Sequence, residues 1–288
     1  MRSVVVTGAS TGIGWSTAKV LLAGGFHVFG SVRRAEDAAR LTAELGAGFT
    51  PLTFDVTDEP AVAAAAQTVR AALQGTRLAG LVNNAGVAVP GPLLELPVAD
   101  FRRQIEINLT GQLIVTQAFA PLLGTEASLS GPPGRIVMMS SVSGRRGMPF
   151  LAPYSASKHA LEGLSESLRR ELMLFGIDVI LVAPGAIATP IWGKAEAIDI
   201  EPYRGSPWYA AAQKAQEMMV GLGKGGLPPE RVGEVVLQAL TAARPKVRYE
   251  IRPDRLTGLV FGLLPRRMLD RAIGKRLGLS DPKNLNKG

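Results

Sequence analysis

The feature that most constrains the fold is a glycine-rich turn between a short strand and a helix near the start of the chain. A β-branched run at residues 3–6 is followed by TGASTGIG at residues 7–14, and then by helical apolar spacing that ends at Gly24. A second strand pattern, FHVFGSV, occupies residues 26–32. In this order the elements form the unit in which a glycine-rich turn binds the phosphates of a dinucleotide. A plain turn is the alternative, and the flanking strand and helix favour the dinucleotide.

The spacing of the three glycines agrees with this interpretation. Gly8 permits a tight turn, Gly12 lets backbone N–H groups approach a pyrophosphate, and Gly14 lets the helix pack closely on the strand. The N-terminus of the helix adds N–H donors and the positive end of its dipole. We therefore predict a cofactor site that also includes the other residues of the turn, Ser10, Thr11 and Ile13.

The end of the second strand indicates which dinucleotide binds. An acidic residue there would hold the ribose 2′-hydroxyl of NAD. This chain instead has Val32, followed by Arg33 and Arg34. An arginine can pair with the 2′-phosphate of NADP, and one such charge-assisted bond is worth roughly 1.5–3 kcal/mol. The sequence predicts a preference for NADP(H), with NAD(H) and a solvated helix start as the alternatives.

Strand and helix patterns continue to alternate along the chain. This alternation predicts an α/β fold: a doubly wound parallel sheet with helices on both faces. Ligands bind such sheets at the carboxyl ends of the strands. The strand ends carry Asp55 with Val56, Asn84 to Gly86 including Ala85, and Ser141. No change in composition divides residues 1–250, which are predicted to form one catalytic domain.

The stretch from Ser141 to Lys158 contains the groups that could move a proton. Tyr154 and Lys158 are four positions apart, so on a helix they share one face. A neighbouring cation should lower the pKa of the Tyr154 phenol, and Ser141 could hydrogen-bond the same substrate oxygen. A surface tyrosine stacked on a lysine stem is the alternative. Asn108, predicted to lie in mid-helix among apolar residues, needs buried partners and is either structural or part of the site.

Composition excludes several other kinds of chemistry. There is no cysteine, and His27 and His159 are the only histidines. Disulfides, thiolate nucleophiles and cysteine metal sites are therefore excluded, and a Ser-His-Asp hydrolase is hard to build. We predict no metal site. The chain shows no signal peptide and no apolar run of roughly 18–20 residues, which predicts a cytoplasmic protein.

The end of the chain differs from the rest in charge. Residues 244–288 contain 12 lysines and arginines against 4 acids, which accounts for the whole net charge of +8. Residues 251–288 are predicted to form an extension with a basic amphipathic helix from Leu264 to Leu277. Such a helix can lie on an anionic membrane at its inner face, or pack on a lid or a second subunit. Nucleic acid is a poor partner because no recognition motif accompanies the charge.

Residues 190–229 combine aromatic side chains and methionines with glycines and prolines, which indicates a substrate lid with an apolar pocket. The alternative is a surface subdomain.

Taken together, these motifs resemble the short-chain dehydrogenase/reductase family over residues 3–250. The matching features are TGASTGIG, NNAG, Asn108, Ser141, Tyr154 with Lys158, and Pro184-Gly185 with Thr189. HVFGSVRR and YSASKHALEGLSESLRREL look most like the hydroxysteroid and retinol dehydrogenase branch. The resemblance implies that the fold is a single Rossmann-type domain with a sheet of about seven strands, assembled as a homodimer or homotetramer.

The resemblance also implies roles for individual residues. Tyr154 would be the acid and base, Lys158 would lower its pKa and bind the nicotinamide ribose, and Ser141 would hold the substrate oxygen. Asn108 would anchor a water that links Lys158 to solvent. Cofactor contacts are implied for Asn84, Ala85, Gly86, Pro184, Gly185, Ile187 and Thr189.

The sequence therefore predicts an NADP(H)-dependent oxidoreductase that interconverts a ketone or aldehyde and an alcohol. The apolar lid predicts an apolar substrate, and the resemblance to the hydroxysteroid and retinol dehydrogenase branch implies a steroid-, retinoid- or lipid-like one. Two alternatives stay open: a non-catalytic NADP(H)-binding sensor or scaffold, and the same chemistry on a small polar substrate.

Overall fold

The computed structural model describes residues 2–189, 198–253 and 265–280, and it contains a seven-stranded parallel sheet. The strands are β1 (Arg2–Val6), β2 (Phe26–Val32), β3 (Phe49–Thr53), β4 (Gly80–Asn83), β5 (Arg135–Met139), β6 (Asp178–Pro184) and β7 (Arg248–Ile251). Their order across the sheet is β3-β2-β1-β4-β5-β6-β7, and every neighbouring pair is parallel. The predicted fold class and strand number are confirmed.

Helices connect the strands and cover both faces of the sheet. They are α1 (Gly12–Ala23), α2 (Ala35–Leu45), α3 (Glu59–Leu73), α4 (Val98–Ile105), α5 (Gly111–Ala120), α6 (Ala152–Glu171), α7 (Tyr209–Lys224), α8 (Glu230–Thr241) and α9 (Arg266–Leu277). A π-helical turn, Glu106–Thr110, joins α4 to α5. None of the helices in the described part of the chain is both long and apolar enough to cross a bilayer.

The core has two layers because side chains of a strand alternate between the faces of the sheet. In β1, Val5 belongs to the layer under α3, α5 and α6, whereas Val4 and Val6 belong to the layer under α1, α2 and α8. All three valines are fully buried. Burying one such side chain contributes roughly 1.5–3 kcal/mol, so these layers fix the positions of the strand ends.

A third, smaller apolar cluster joins α7 and α9. Its buried members are Phe150, Ala211, Ala212, Ala215 and Leu277, and Trp208, Met218 and Ile273 pack against them. Of the proposed partners for the C-terminal helix, the lid segment is therefore one that the helix contacts. Residues 190–197 of the predicted lid and the start of the predicted C-terminal helix at Leu264 lie outside the described residues.

The strand order reverses between β1 and β4. The chain runs outward from β1 to β3 and then returns to the other side of β1 at β4. The loops that follow β1 and β4 consequently leave in opposite directions and open a crevice at the carboxyl edge of the sheet.

Candidate active site

The predicted site residues follow the carboxyl ends of six adjacent parallel strands. The glycine-rich turn follows β1, Arg33 follows β2, Asp55 follows β3, and Asn84 follows β4. Ser141 and Gly185 follow β5 and β6 in the same way. Because all six strands are parallel, these residues share one edge of the sheet.

The glycine-rich turn has a conformation that side chains would obstruct. Gly8 and Gly12 have φ angles of +66° and +58°, the left-handed region that favours glycine. A Cβ on Gly8 would lie 3.0 Å from the Cα of Ala85, and a Cβ on Gly14 would lie 2.1 Å from the Gly8 carbonyl oxygen. Thr11 is the N-cap of α1, and its side chain makes no capping hydrogen bond. The turn therefore fits the phosphates of a dinucleotide, with backbone at close approach and an uncapped helix start.

The turn is held by hydrogen bonds to the next strands. The Thr7 hydroxyl accepts from the backbone N–H groups of Asn84 at 2.9 Å and Ala85 at 3.0 Å. The Asn84 amide donates to the Thr7 carbonyl at 2.9 Å, and the Gly8 N–H donates to the Ser31 hydroxyl at 3.0 Å. Asn84 thus joins NNAG to the turn. Thr7 and Ser31 are supporting residues that sequence reasoning missed, because their partners are backbone groups of distant segments.

The arginines after β2 differ in their partners. Arg34 forms an ion pair with Asp37 at 3.1 Å, whereas Arg33 makes no ion pair with any residue in the described ranges. Arg33 lines a cavity of about 490 Å³ together with Asp55, Thr57, Arg102, Arg103, Glu106 and Ile107. Arg33 is therefore the better placed of the two for a 2′-phosphate.

Arg40 was not predicted and lies between the turn and Asp37. It donates to the Ser10 carbonyl at 2.8 Å and to the Asp37 carboxylate at 3.1 Å. No local pattern marks it, since its position depends on how α2 packs beside α1.

The proton-handling residues meet where β5 runs into α6. The Lys158 ammonium lies 5.8 Å from the centre of the Tyr154 ring, and it donates to the Met139 carbonyl at 2.7 Å. The Ser141 hydroxyl donates to the Pro184 carbonyl at 3.4 Å and lies beside the phenol of Tyr154, whose proton affinity it influences. The predicted set of Ser141, Tyr154 and Lys158 is thus brought together.

Burial sets the proton affinities of this pair. It lowers the pKa of the Lys158 ammonium to about 8, because the charged form loses hydration. It raises the pKa of the Tyr154 phenol, and the Ser141 hydrogen bond only partly opposes this. The direction for Tyr154 is opposite to that expected from the sequence. The physical reason is that desolvation of the phenolate outweighs the influence of its polar neighbours.

Asn108 is fully buried in the π-helical turn and connects two parts of the site. Its amide donates to the Val87 carbonyl at 2.9 Å and to the Ser157 hydroxyl at 3.2 Å, while its oxygen accepts from the Val87 N–H at 2.8 Å. Ser157 donates to the Tyr154 carbonyl at 2.7 Å. Gln104, a residue that sequence reasoning missed, binds the Val89 N–H at 2.7 Å. The predicted water at Asn108 stays a prediction.

The remaining predicted cofactor residues lie beside these groups. Asp55 accepts from the Thr57 hydroxyl at 2.8 Å, and a Cβ on Gly86 would lie 3.1 Å from the Asn108 oxygen. Gly185 donates to the Ile251 carbonyl at 2.8 Å. Val56 and Ile187 are buried in the two core layers, and Thr189 is half-buried. The described residues contain no cluster of three or more potential metal ligands.

Comparisons with known proteins agree with this geometry. A sequence profile of the family described as short chain dehydrogenase matches residues 2–199. An NADPH-dependent 3-dehydrocapnine reductase from Ornithobacterium rhinotracheale is 39% identical over 96% of this chain and 98% of that protein. Human retinol dehydrogenase 16 is 31% identical over 93% of this chain and 86% of that protein.

A solved structure resembles the chain over almost its whole length. The crystal structure of a short-chain dehydrogenase from Streptomyces avermitilis has a TM-score of 0.75 and 27% sequence identity. The similarity covers 97% of this chain and 98% of that one.

Proposed function

Because the chain belongs to the short-chain dehydrogenase family and is an oxidoreductase of that family, we propose that it interconverts a ketone or aldehyde and an alcohol with NADP(H), and that Tyr154 is the acid and base. The observation that carries the proposal is the Tyr154 phenol flanked by the buried ammonium of Lys158, with Ser141 beside them at the end of β5. A phenol so placed can exchange a proton with a substrate oxygen.

Bound NADPH would supply the hydride that reduces the carbonyl carbon. The residues proposed to hold it are those of the turn at Gly8 to Gly14, together with Arg33 and Lys158. In reduction, Tyr154 gives its proton to the carbonyl oxygen while Ser141 donates a hydrogen bond to the same atom. The Lys158 ammonium then stabilises the phenolate until it regains a proton from solvent.

The direction of the pKa shift on Tyr154 suits reduction. A pKa above the usual value keeps the phenol protonated at neutral pH, which is the form that a general acid needs. With its pKa at about 8, Lys158 remains charged in most molecules at neutral pH. In the direction of alcohol oxidation, Tyr154 must start as the phenolate, so a higher pH is needed.

The preference for NADP(H) over NAD(H) is supported by Arg33, which makes no ion pair in the described ranges, and by Val32 in place of an acid. One relative, the 3-dehydrocapnine reductase, is NADPH-dependent. An apolar substrate is supported by Phe150, Trp208 and Met218 in the cluster around α7, and by the name of retinol dehydrogenase 16.

The other predicted partners remain proposals. A homodimer or homotetramer is supported by two exposed apolar side chains in the turn that follows α6, Met173 and Leu174. Light scattering of the purified protein distinguishes these assemblies from a monomer. The predicted cytoplasmic location, with or without membrane contact, would be tested by fractionation of cells that express the chain.

The proposed activity is tested by NADPH oxidation over a panel of apolar ketones, aldehydes and small polar oxo acids. We expect Tyr154→Phe to reduce kcat by about a hundredfold or more, because the variant lacks the general acid. Tyr249→Phe, which alters another partly buried tyrosine on β7, is the matched control and should keep its activity. Equal, measurable rates for native protein and Tyr154→Phe would contradict the role of Tyr154, and no NADPH oxidation by either protein would favour the sensor or scaffold.

A further inference from the structure

Two hydrogen bonds join the end of β5 to one face of α6. They run from consecutive residues of the chain to α6 residues that are four positions apart. The Met139 carbonyl accepts from Lys158, and the Ser140 hydroxyl donates to Glu162. Ser141, the next residue, lies beside Tyr154, which is one turn before Lys158 on the same helix. We call this set of contacts the β5–α6 ladder. Lys158 and Tyr154 belong to the proposed catalytic set, and the rung of Glu162 has no assigned role.

The Glu162 carboxylate is the most heavily bonded group of the ladder. It accepts from Ser140 at 2.9 Å, from the Arg248 guanidinium at 3.0 Å and from Arg145 at 3.2 Å. The side chains of Glu162 and Arg248 are only 11% and 9% exposed. Arg248 is also bound by Glu250 at 2.6 Å. Glu162 therefore links the end of β5, the following loop and the edge strand β7 to α6.

Gly144 leaves the space in which this rung forms. A Cβ at Gly144 would lie 2.6 Å from the Ser140 hydroxyl and 2.7 Å from a Glu162 carboxylate oxygen. Any side chain there would displace one of the two hydrogen-bonded partners. The contact between Ser140 and Glu162 thus explains why a glycine, Gly144, occupies the position three residues after Ser141.

The carboxylate of Glu162 is charged despite its burial. Desolvation would raise the pKa of Glu162, but hydrogen bonds from Arg248 and Ser140 and the charges of Arg248 and Arg145 outweigh it and lower the pKa. Lys158 lies one helical turn before Glu162 on α6. A buried charge held by several directional bonds tolerates little displacement, because each lost bond leaves an unpaired polar group.

We propose that Glu162, held by Arg248, is a positioning residue for the catalytic set: it fixes Ser140 and thereby the placement of Ser141 against Tyr154. The proposal rests on the proposed function of that set. Glu162 itself does not touch the reacting atoms. It acts indirectly: by holding Ser140 in place, it restricts the position of the next residue, Ser141.

Two variants separate this role from general stability. Ser140→Ala removes the rung and leaves the ion pair of Glu162 with Arg248 in place, whereas Glu162→Gln weakens both. We expect both variants to lower kcat about tenfold or more, with Kd for NADPH within about threefold of native, because misplaced catalytic groups act on the transition state and not on cofactor binding. Glu162→Asp should recover less than native activity and more than Glu162→Gln.

A second readout does not depend on turnover. Ser140→Ala changes no charge, so a looser Ser141 should raise the ionisation midpoint of Tyr154 by about half a pH unit or more. The midpoint is obtained from phenolate absorbance, with Tyr154→Phe subtracted to remove the other tyrosines. A residue that only stabilised the fold would lower the melting temperature and leave this midpoint unchanged.

The chain offers a matched control before the start of β5, whereas Ser140 follows the end of that strand. Glu126 also accepts hydrogen bonds from one arginine and one serine, Arg70 and Ser128. Glu126→Gln and Ser128→Ala should leave kcat and the Tyr154 midpoint unchanged. The proposal is overturned if folded Ser140→Ala and Glu162→Gln keep native kcat and the native midpoint. If native protein reduces no carbonyl compound, the proposed function fails. The ionisation midpoint of Tyr154 in Ser140→Ala then tests by itself whether the β5–α6 ladder positions Ser141.

Discussion

At the scale of single residues, the two arginines after β2 illustrate how a partner changes a role. Arg33 and Arg34 are equivalent in the sequence, but Arg34 is bound to Asp37 and is already charge-compensated. An arginine without a carboxylate partner has its full charge available for a phosphate.

We predict that Arg33→Ala weakens NADPH binding about ten- to a hundredfold and leaves NADH binding unchanged, since only NADPH has the 2′-phosphate. Arg34→Ala should have a smaller effect. Fluorescence titration of both variants with both cofactors measures this. An equal loss of NADPH and NADH affinity in Arg33→Ala would contradict the assignment.

Lys158 should lower the stability of the folded chain. Its pKa falls from 10.5 to about 8 on folding, so the unfolded chain holds the proton more tightly. The cost is complete below pH 8, and stability rises as the pH increases from about 8 to 10.5. We predict that Lys158→Met stabilises the protein at pH 7 by about 1–3 kcal/mol and abolishes activity.

Chemical denaturation at pH 7 and pH 10 tests this prediction. The native protein should gain stability at the higher pH relative to Lys158→Met. Lys214→Met, which removes an exposed lysine of α7, should change the free energy of unfolding by less than about 0.5 kcal/mol. Destabilisation by Lys158→Met at pH 7 would mean that its bond to Met139 outweighs the cost of burying the charge.

At the scale of elements, the apolar strands could be predicted because parallel strands are buried on both faces and appear as continuous apolar runs. Helix α7, in the segment predicted to be a lid, was harder to recognise in the sequence. It buries Ala211, Ala212 and Ala215, and such small side chains give a weak periodic signal. Its partner α9 lies more than forty residues later in the chain, so no local pattern indicates the contact.

The residues of the candidate site also fall into those that the local sequence indicates and those that it does not. Residues that are proposed to carry the chemistry, such as Tyr154 and Lys158, could be identified from spacing and family motifs. Residues that hold them in place, such as Ser31 and Glu162, bind groups from distant segments. Their roles depend on the order of the strands, which the local sequence does not specify.

The cluster between α7 and α9 leads to a prediction about the C-terminal helix. Leu277 is 2% exposed in this cluster, together with Phe150. Phe150 has a positive φ of 62° and precedes α6, so the cluster touches the loop that leads to Tyr154. Loss of a buried leucine side chain typically costs about 2–5 kcal/mol. We predict that Leu277→Ala releases α9 and raises KM for apolar substrates.

Limited trypsin digestion would detect the release, because α9 has several exposed arginines. Cleavage within α9 should accelerate in Leu277→Ala and not in Met268→Ala, which truncates a side chain that is 54% exposed on the same helix. NADPH affinity should stay the same in both. Identical cleavage rates for the two variants would show that Leu277 does not hold the helix.

At the scale of the whole molecule, the excess positive charge lies at the end of the chain and not among the proposed site residues. Residues 244–288 carry 12 basic and 4 acidic residues, which is the entire excess of positive charge. The exposed basic residues of α9 are Arg266, Arg267, Arg271, Lys275 and Arg276. Within the described ranges none of them forms an ion pair, and Leu277 packs against α7. The outer face of α9 is therefore basic while its inner face is already packed.

This arrangement predicts a purely electrostatic form of membrane contact. Each basic residue near an anionic bilayer contributes about 1 kcal/mol, and the contribution disappears beyond a Debye length. We expect the chain to float with vesicles that contain anionic lipid, and to be released by about 0.5 M salt. Zwitterionic vesicles should not retain it, because no large apolar face of α9 is free to insert.

The controls separate α9 from the rest of the surface. Arg267→Glu with Arg271→Glu should abolish flotation, whereas Arg204→Glu with Arg231→Glu, two exposed arginines of the main body, should not. A chain truncated before Leu264 should stay unbound. If neither the intact nor the truncated chain floats, α9 covers α7 without binding membranes. An apolar substrate must then reach the site from solution.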